Sequence, residues 1–413
     1  MIAQHLIGKR LGKGVFDITR EVKEKEKEFG KDKVINSTIG SFYDEDETLS
    51  VLKTVENLYR NLPKVDLFGY ASGISGSIEY KKAVKENVFN EYLGTFTNSY
   101  ISVTATPGGT GAIHNTFKGY MDRNETVLLP EFMWEAYIHL AAANDLKTET
   151  YSLFDGDGFN IKNFSEKVLE LSKSQKKVLV VINDPCQNPT GYSLSVEEWQ
   201  KVIDVLKEAG KYGDVILLDD IAYIDYDFRG MKKSREYMKL FNGLPENILV
   251  VLAYSMSKSY TCYGVRIGAQ VAISSKKEII EEFDMTSTFL CRTSWSNSSK
   301  GGMKLLSDIY ENREILAEVL AERNEKIDLL KKRAEIFLAE AKKVGLNHCP
   351  FRSGFFITIP VTENKEEIFK DLKSKKVFVL PIAGGIRVAL CSVPCKKIKK
   401  LPKIIKKSMD KFN

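Results

Sequence analysis

The sequence predicts an α/β protein built around a mostly parallel sheet sandwiched by helices. Runs that are apolar at nearly every position recur through the middle of the chain, as expected for strands buried on both faces. Amphipathic segments of helical length separate these runs, so strand and helix alternate. Polar and glycine-rich motifs follow several runs directly, and the carboxyl ends of such strands are where open α/β sheets bind ligands.

The first part of the chain supplies an arm and two helices before the sheet begins. Residues 1–47 are charged and helix-prone around TREVKEKEKEFG, and then pass through a short apolar stretch ending at Gly40. This pattern predicts an arm and a first strand. Helical patterns follow at 49–62 and 79–93, with the glycine-punctuated loop GYASGISG between them.

The apolar runs that come next are the candidate strands of the sheet. In order they are ISVTAT (101–106), TVLLP (126–130), KTETYSLF (147–154), KVLVVIN (177–183), VILLDD (215–220), ILVVLAYS (248–255) and RIGAQVAIS (266–274). A glycine-rich turn separates the first run from a helical pattern. Strand, glycine turn and helix in this order point backbone N–H groups at a phosphate.

A smaller α+β unit is predicted from the two ends of the chain. From about residue 305 the pattern is that of one long charged amphipathic helix, and strands follow at FRSGFFITIP and KKVFVLPIAGGIRVALC. The predicted domains are a large one at 48–310 and a small one at 1–47 plus 311–413. The lysine-rich end CKKIKKLPKIIKKSMDKFN favours a helix with a solvated basic face over a membrane-binding segment.

Composition excludes several classes of function. The 413-residue chain is 43% hydrophobic and 28% charged, which is typical of a globular protein and not of a disordered or fibrous one. Its net charge of +6 comes from lysines interleaved with glutamates, so nucleic-acid binding is not indicated. The cysteines form no CxxC pair and no run approaches about 18 apolar residues, so we expect no metal, no membrane span and a reduced, cytoplasmic protein.

Lys258 is the residue around which the predicted site is organised. The run ILVVLAYS brings Ser255, Ser257 and Lys258 to a strand end, and Arg266 follows between two glycines. A lysine there can form a Schiff base while the hydroxyls and the guanidinium hold a dianionic phosphate. A solvated surface lysine is the ordinary alternative, which partner residues must overturn.

Those partner residues follow neighbouring strands. Asn188 comes soon after KVLVVIN, Asp220 ends VILLDD, and Tyr223 lies three residues beyond it. A carboxylate at Asp220 suits the protonated nitrogen of a pyridine ring, and amide or phenol donors suit its phenolate oxygen. Taken singly, these residues are more often a helix cap, a turn residue and a core tyrosine. In this order they predict a pyridoxal phosphate site in which Lys258 moves the proton.

The complete set resembles the class I aminotransferases of fold type I, and most closely their aspartate and aromatic aminotransferase branch. The matching motifs lie between residues 36 and 390 and are GGTGA (108–112), NPTG (188–191), DIAY (220–223), SMSK (255–258), GVRIG (264–268) and RTSWSN (292–297). The resemblance implies a seven-stranded large domain, pyridoxal 5'-phosphate as cofactor, and amino acid and 2-oxo acid substrates. It also implies a homodimer whose chains share active sites, with no nucleic-acid or membrane partner.

The resemblance further implies a role for each matching residue. The implied catalytic residues are Lys258, Asp220 and Tyr223. Cofactor binding is implied for Gly109, Thr110, Trp134, Asn188, Asp220, Tyr223, Ser255, Ser257, Lys258, Arg266 and, from the neighbouring subunit, Tyr70. Substrate binding is implied for Gly40, Asn188, Arg292 and Arg387. Phe132 is the rival of Trp134 for the place stacked on the cofactor ring.

Two arginines would set the substrate. Arg387 is similar to the arginine that grips the α-carboxylate, because a guanidinium fork binds carboxylate bidentately. Arg292 resembles the arginine that crosses the dimer to the distal carboxylate of aspartate or glutamate, and a surface ion pair is the alternative for either. Ser298 and Ser299 replace two prolines usual in the family, and Tyr137 replaces a histidine that supports the pyridine carboxylate. These departures concern fine specificity and leave aromatic donors open.

The predicted activity is transfer of an amino group from aspartate to 2-oxoglutarate by a ping-pong mechanism, with aromatic amino acids left open as donors. A β-lyase or a decarboxylase that uses the same cofactor would share every cofactor residue and is the alternative. A non-catalytic regulator module is disfavoured, because no DNA-binding pattern precedes residue 36.

Overall fold

The architecture comes from a computed structural model that describes residues 1–11 and 15–412. The strands are β1 Ile35–Ser37, β2 Tyr100–Thr106, β3 Thr126–Pro130, β4 Lys147–Tyr151, β5 Phe154–Asp155, β6 Gly158–Phe159, β7 Lys177–Ile182, β8 Asp214–Asp220, β9 Ile248–Ser255, β10 Gly268–Ser274, β11 Phe356–Pro360, β12 Val377–Ile382 and β13 Gly385–Ala389. Among the described residues, no helix has the length and apolar character needed to cross a membrane.

The α-helices connect and cover these strands. They are α1 Val15–Phe29, α2 Lys53–Arg60, α3 Lys64–Phe68, α4 Ile78–Phe89, α5 Gly108–Tyr120, α6 Ala136–Ala143, α7 Ile161–Gln175, α8 Val196–Ala209, α9 Met256–Ser259, α10 Lys277–Ser294, α11 Lys300–Glu311, α12 Arg313–Val344, α13 Lys365–Ser374, α14 Cys395–Ile398 and α15 Leu401–Asp410. Short 3-10 turns join several of them, including one at Lys233–Phe241.

The chain divides into two compact units. The large unit is Val51–Pro185 with Leu194–Asn324, and the small unit is Met1–Ser50, Cys186–Ser193 and Glu325–Asn413. The domain boundaries expected from the sequence, at 47/48 and 310/311, stay a prediction.

The large unit contains the seven-stranded, mostly parallel sheet that the sequence predicts, so this fold class is confirmed. The strand order is β2-β10-β9-β8-β7-β3-β4, and β10 alone runs antiparallel to its neighbours. Every residue of β9 is buried, which is why ILVVLAYS is continuously apolar until its final serine. One face of the sheet packs on α5 and α6, where Ile113, Phe117 and Tyr137 join Leu218 and Val251 in the core.

The strand register brings several chain segments to one edge of this sheet. Gly268, the first residue of β10, pairs with Thr106 at the end of β2 and with Ser255 at the end of β9. Asp220, the last residue of β8, pairs with Ala253 of β9. The segments that follow β2, β8 and β9 and the segment that precedes β10 therefore leave the sheet at the same edge.

The small unit has its own four-stranded sheet, made from both ends of the chain as predicted. The order is β1-β12-β13-β11, with β1 parallel to β12 and the other pairs antiparallel. The buried Lys397 ties the N-terminal part to the C-terminal part, because its ammonium donates to the carbonyls of Lys31 and Val34 at 2.8 Å each. Long-range pairings of this kind hold the unit together.

The expectation of one unbroken helix from about residue 305 to 345 is wrong. The chain forms α11 and α12 instead, with Asn312 between them in an extended conformation. The Asn312 side-chain oxygen accepts hydrogen bonds from the backbone N–H groups of Glu314 and Ile315, at 3.0 and 3.2 Å. Asparagine is a strong helix N-cap, so it begins a new helix within an otherwise continuous amphipathic pattern.

Candidate active site

Lys258 lies on a single helical turn that starts where β9 ends. The Ser255 hydroxyl accepts a hydrogen bond from the Ser257 N–H at 3.2 Å, which caps this turn and fixes the direction in which the chain leaves the sheet. The half-buried Lys258 ammonium lies 4.8 Å from the centre of the Tyr263 ring and 5.8 Å from that of Tyr223. Both rings are within the range of cation–π attraction.

Asp220 is a buried carboxylate held from two sides. It is 5% exposed; its Oδ2 accepts from the Tyr137 hydroxyl at 2.6 Å, and its Oδ1 accepts from the Ala222 N–H at 3.1 Å. Burial raises the pKa of Asp220 to about 6, while these two hydrogen bonds and the positive charge of Lys258 act to lower it. A desolvated carboxylate whose charge is only partly compensated fits the protonated nitrogen of a pyridine ring.

Donor groups fit for a phosphate gather at the same sheet edge. The Arg266 guanidinium donates to the Ser257 hydroxyl and to the Tyr263 carbonyl, both at 3.0 Å, and lies 3.5 Å from the Pro107 carbonyl. Helix α5 begins one residue after Pro107, and the first N–H groups of a helix have no intrahelical partner. Gly109 and Thr110 lie in that first turn, so their N–H groups and the guanidinium offer donors to an anion.

Two glycines, Gly108 and Gly268, allow the turn into α5, the start of β10 and the Arg266 side chain to lie close together. Gly108 has φ of +72°, and a Cβ there would lie 2.7 Å from Arg266 Nη2. A Cβ at Gly268 would lie 2.3 Å from the Tyr254 carbonyl oxygen and 2.9 Å from the Gly108 Cα. Arg266 itself has φ of +55°, a conformation that non-glycine residues adopt mainly where function or packing requires it.

Trp134, which the resemblance assigns to the place stacked on the cofactor ring, packs beside the tyrosine that holds Asp220. Its indole packs edge-on against Tyr137, with ring centres 5.6 Å apart and planes at 84°. Tyr137 is the residue that donates to Asp220, so Trp134 packs against the side chain that holds the carboxylate. Phe132 packs instead toward Phe154, 6.1 Å away.

Arg387, Asn188 and the segment before Gly40 come together in the small unit. Arg387 is 6% exposed on β13; it donates to the Asn188 side-chain oxygen at 3.1 Å and to the Thr38 carbonyl at 2.8 Å. Its guanidinium also lies 4.1 Å from the centre of the Phe356 ring. The two oxygens are neutral and the ring is uncharged, so these contacts orient the guanidinium without cancelling its charge.

Tyr70 and Arg292 do not join the group around Lys258. Tyr70 is 88% exposed on the loop between α3 and α4. Arg292 is exposed in the last turn of α10, where it donates to the Ser296 hydroxyl at 2.7 Å. In the described part of the chain, neither side chain hydrogen-bonds to Lys258 or Asp220.

Sequence reasoning missed two residues of the site. Tyr263 was not singled out, although it lies between Lys258 and Arg266 on the connection that leaves the sheet edge. Asn183 donates to the Asp220 carbonyl at 2.5 Å and directly follows β7, so the strand-end rule could have found it. Among the described residues, no group of three or more His, Cys, Asp or Glu side chains is arranged to hold a metal ion.

Comparison with known proteins identifies the family. Residues 32–405 match the family model of the class I and II aminotransferases. An aspartate aminotransferase of Salmonella typhi is 24% identical over 319 residues, which cover 76% of this chain and 78% of the relative. An aromatic-amino-acid aminotransferase of Paracoccus denitrificans is 24% identical over 291 residues, or 70% and 71% of the two chains.

The solved structures agree with this match. An aminotransferase of Anaerococcus prevotii superposes with a TM-score of 0.94 at 34% identity, over 98% of both chains. The resemblance inferred from the sequence motifs is therefore confirmed. The chain belongs to the class I and II aminotransferases, a family of transaminases that depend on pyridoxal phosphate.

Proposed function

We propose that this transaminase binds pyridoxal 5'-phosphate and transfers the amino group of aspartate, and of aromatic amino acids, to 2-oxoglutarate in two ping-pong half-reactions. The observation that carries the proposal is the arrangement of Lys258, Asp220 and Arg266 at one sheet edge. Relatives that carry the aspartate and the aromatic names match the chain at similar identity, which supports both donor classes.

The residues of the large unit fit the cofactor, and each has a distinct task. Bound here, pyridoxal phosphate would supply the electron sink for the charge left when the Cα–H bond of the substrate breaks. Asp220 holds the proton on the ring nitrogen that this sink requires. Arg266, Ser255, Ser257 and the first N–H groups of α5 bind the phosphate. Lys258 Nζ would hold the cofactor and, as a free amine, would accept the Cα proton and return it.

The remaining assignments concern orientation of the cofactor and the substrate. Tyr223 and Asn188 would donate to the phenolate oxygen of the cofactor, and the Asn188 side-chain oxygen accepts from Arg387 and so helps to keep the guanidinium in place. Arg387 binds the substrate α-carboxylate as a bidentate pair. Gly40, two residues beyond the Thr38 carbonyl that accepts from Arg387, lines the substrate pocket.

We also propose a homodimer with shared sites, which is supported by exposed apolar side chains and by the position of Arg292. On α10, Met285 and Phe289 are each 67% exposed and lie one helical turn apart, and Arg292 continues the same face one turn later. Phe68 and Tyr70 are also exposed in this unit. Exposed apolar groups of this size mark protein–protein contacts, so we assign these residues to the subunit interface and Arg292 to the partner's site. Six free cysteines support the expected cytoplasmic location.

The proposed substrate is tested by a panel of amino donors with 2-oxoglutarate. Arg292→Ala should lower kcat/KM for aspartate by about tenfold to a hundredfold, because a charged hydrogen-bonded pair contributes about 1.5–3 kcal/mol. Turnover of phenylalanine should change little, since it has no distal carboxylate. Arg123→Ala is the matched control, because Arg123 is also an exposed arginine of the large unit.

Equal losses for both donors would contradict the role of Arg292 in binding the distal carboxylate. Amino-acid turnover that proceeds without any 2-oxo acid would contradict transamination itself and favour a lyase or a decarboxylase. The comparison of donors tests the role of Arg292, and the requirement for a 2-oxo acid tests transamination. Either conclusion can fail while the other holds.

A further inference from the structure

Two buried aspartates lie outside the machinery assigned above. Asp219 precedes Asp220 on β8. Asp184 lies just beyond the end of β7, the strand that pairs with β8. Both are completely buried in the large unit. Successive residues of a strand point to opposite faces, so Asp219 is directed away from the face that Asp220 serves.

Asp219 and Asp184 are joined by a pair of stacked aromatic rings. The Tyr237 hydroxyl donates to Asp219 Oδ2 at 2.7 Å, and the Trp199 indole N–H donates to Asp184 Oδ2 at 2.9 Å. The Tyr237 and Trp199 rings stack with centres 4.6 Å apart and planes 11° from parallel. The two carboxyl groups are therefore fixed relative to each other by side chains that cannot move independently.

The two carboxyl groups differ in how well a negative charge is supported. Asp184 has a second donor, the Leu194 N–H at 2.6 Å, and the positive charge of Arg229 acts on it, although Arg229 is also paired with Asp227. Asp219 has the Tyr237 hydroxyl on one oxygen, while Oδ1 is buried with no hydrogen-bond partner of good geometry among the described residues.

Electrostatics makes Asp219 the member of the pair that keeps its proton. Among the described residues, the titratable groups that act on Asp219 are carboxyl groups and phenols rather than cations, namely Asp184, Asp220, Tyr237, Tyr151 and Tyr137. Burial raises the pKa of Asp219 well above its usual range and the charge of Asp184 raises it further, while the Tyr237 hydroxyl and the backbone N–H of Asp184 act to lower it without reversing the shift. Burial raises the pKa of Asp184 to about 7, lower than Asp219 because the indole and Arg229 stabilise its charged form. Adjacent buried carboxyl groups do not both ionise.

We propose that Asp219 is a positioning residue that stays a neutral carboxylic acid, so that Asp220 beside it can carry the negative charge in the site. An ionised Asp219 would repel a charge on Asp220 and favour the protonated form, which cannot hold a proton on a pyridine nitrogen. The neutral acid also accepts from Tyr237 while Tyr137 donates to Asp220, so two tyrosines hold this strand end from opposite faces. The consequence for the cofactor rests on the proposed function, whereas the protonation of Asp219 does not.

Infrared spectroscopy tests the protonation without the cofactor. At about pH 9, where Asp184 and Asp220 with pKa values of about 7 and about 6 are ionised, the wild-type protein should show the carbonyl stretch of a protonated carboxylic acid that disappears in Asp219→Asn. Asp220→Asn is the matched control on the same strand and should retain the band. Should Asp219→Asn not fold, Tyr237→Phe gives a second test, because loss of its hydrogen bond to Asp219 should shift the band without removing it.

Cofactor binding separates a positioning role from a merely structural one. Asp219→Leu should weaken pyridoxal phosphate binding about tenfold, since it leaves the Tyr237 hydroxyl without its buried acceptor. Asp219→Asn, which is neutral and can accept the same hydrogen bond, should restore wild-type affinity and the wild-type pH dependence of cofactor absorbance. The proposal is overturned if the carboxylic-acid infrared band persists in Asp219→Asn. It is also overturned if the pH dependence of cofactor absorbance in that variant differs from that of the wild type. If the carboxylic-acid infrared band is present but none of the amino donors reacts with 2-oxoglutarate, only the proposed substrates are contradicted.

Discussion

Asp220 lowers the stability of the cofactor-free protein at neutral pH. Its pKa is raised to about 6, so the folded protein holds this proton more tightly than the unfolded chain does. The stabilisation from Asp220 is therefore complete below its unfolded pKa of about 3.9 and is lost as the pH rises through 6. A protonated ring nitrogen bound beside the carboxylate would offset that loss, which couples stability to the cofactor.

Replacement of Asp220 should separate stability from function. Asp220→Asn keeps an acceptor oxygen for the Ala222 N–H, and its NH2 group can donate to the Tyr137 hydroxyl, which then accepts instead of donating. It has no charge to desolvate, so cofactor-free protein should melt at a higher temperature than wild type at mildly alkaline pH. The difference should shrink in mildly acidic buffer. Thermal unfolding followed by circular dichroism at both pH values measures this, with the exposed Asp214 at the start of the same strand giving the control Asp214→Asn. A lower melting temperature for Asp220→Asn at both pH values would contradict the account.

For single residues, the sequence predicted which ones lie at strand ends, but it did not predict their hydrogen-bond partners. Asp220 and Ser255 end apolar runs, so the strand-end rule found them. Tyr137 was noticed only as a departure from the family, and the hydrogen bond to Asp220 joins residues 83 positions apart. Asp219 gave no signal, because an apolar run that ends in two aspartates does not say which one is neutral.

Among the elements, the turn from β2 into α5 determines whether the phosphate donors can converge. Gly108→Ala would force a side chain into a left-handed conformation and place its Cβ 2.7 Å from Arg266 Nη2. We expect cofactor affinity to fall at least about tenfold, because Arg266 must move from its bonds to Ser257 and Tyr263.

Gly264→Ala is the matched control for this turn. Gly264 belongs to the same motif as Arg266, and a Cβ there meets nothing within 4 Å. Titration of each protein with pyridoxal phosphate, followed by absorbance, gives the affinities. Equal affinities for the Gly108 and Gly264 variants would show that the turn does not bind phosphate.

The elements themselves were largely predictable where burial alone decides them. β7, β8 and β9 are buried on both faces, and their apolar runs identified them directly. The break at Asn312 was missed, since the amphipathic period continues on both sides and only the cap marks the new helix. The four-residue α9 is too short for any periodicity, and its cap at Ser255 fixes it.

At the scale of the whole molecule, the sequence indicated that both chain ends build one unit but not how they pair. β1 lies parallel to β12, with Ile35 opposite Val377, and no local pattern encodes a pairing across such a distance in sequence. The assignment of Cys186–Ser193 to the small unit, although it follows a strand of the large one, was likewise invisible in the sequence. Family membership was recoverable because motif order survives where overall identity is low.

The central claim is that this chain binds pyridoxal phosphate covalently through Lys258. The most direct measurement is peptide mass spectrometry of the purified protein after incubation with the cofactor and reduction by borohydride, with absorbance recorded beforehand. Lys201→Ala, which removes an exposed lysine of α8, is the control. We predict a visible cofactor band and one adduct on the Lys258 peptide in wild type and in the control, and neither in Lys258→Ala. A wild-type protein without an adduct, or an adduct and band that survive in Lys258→Ala, would contradict the account.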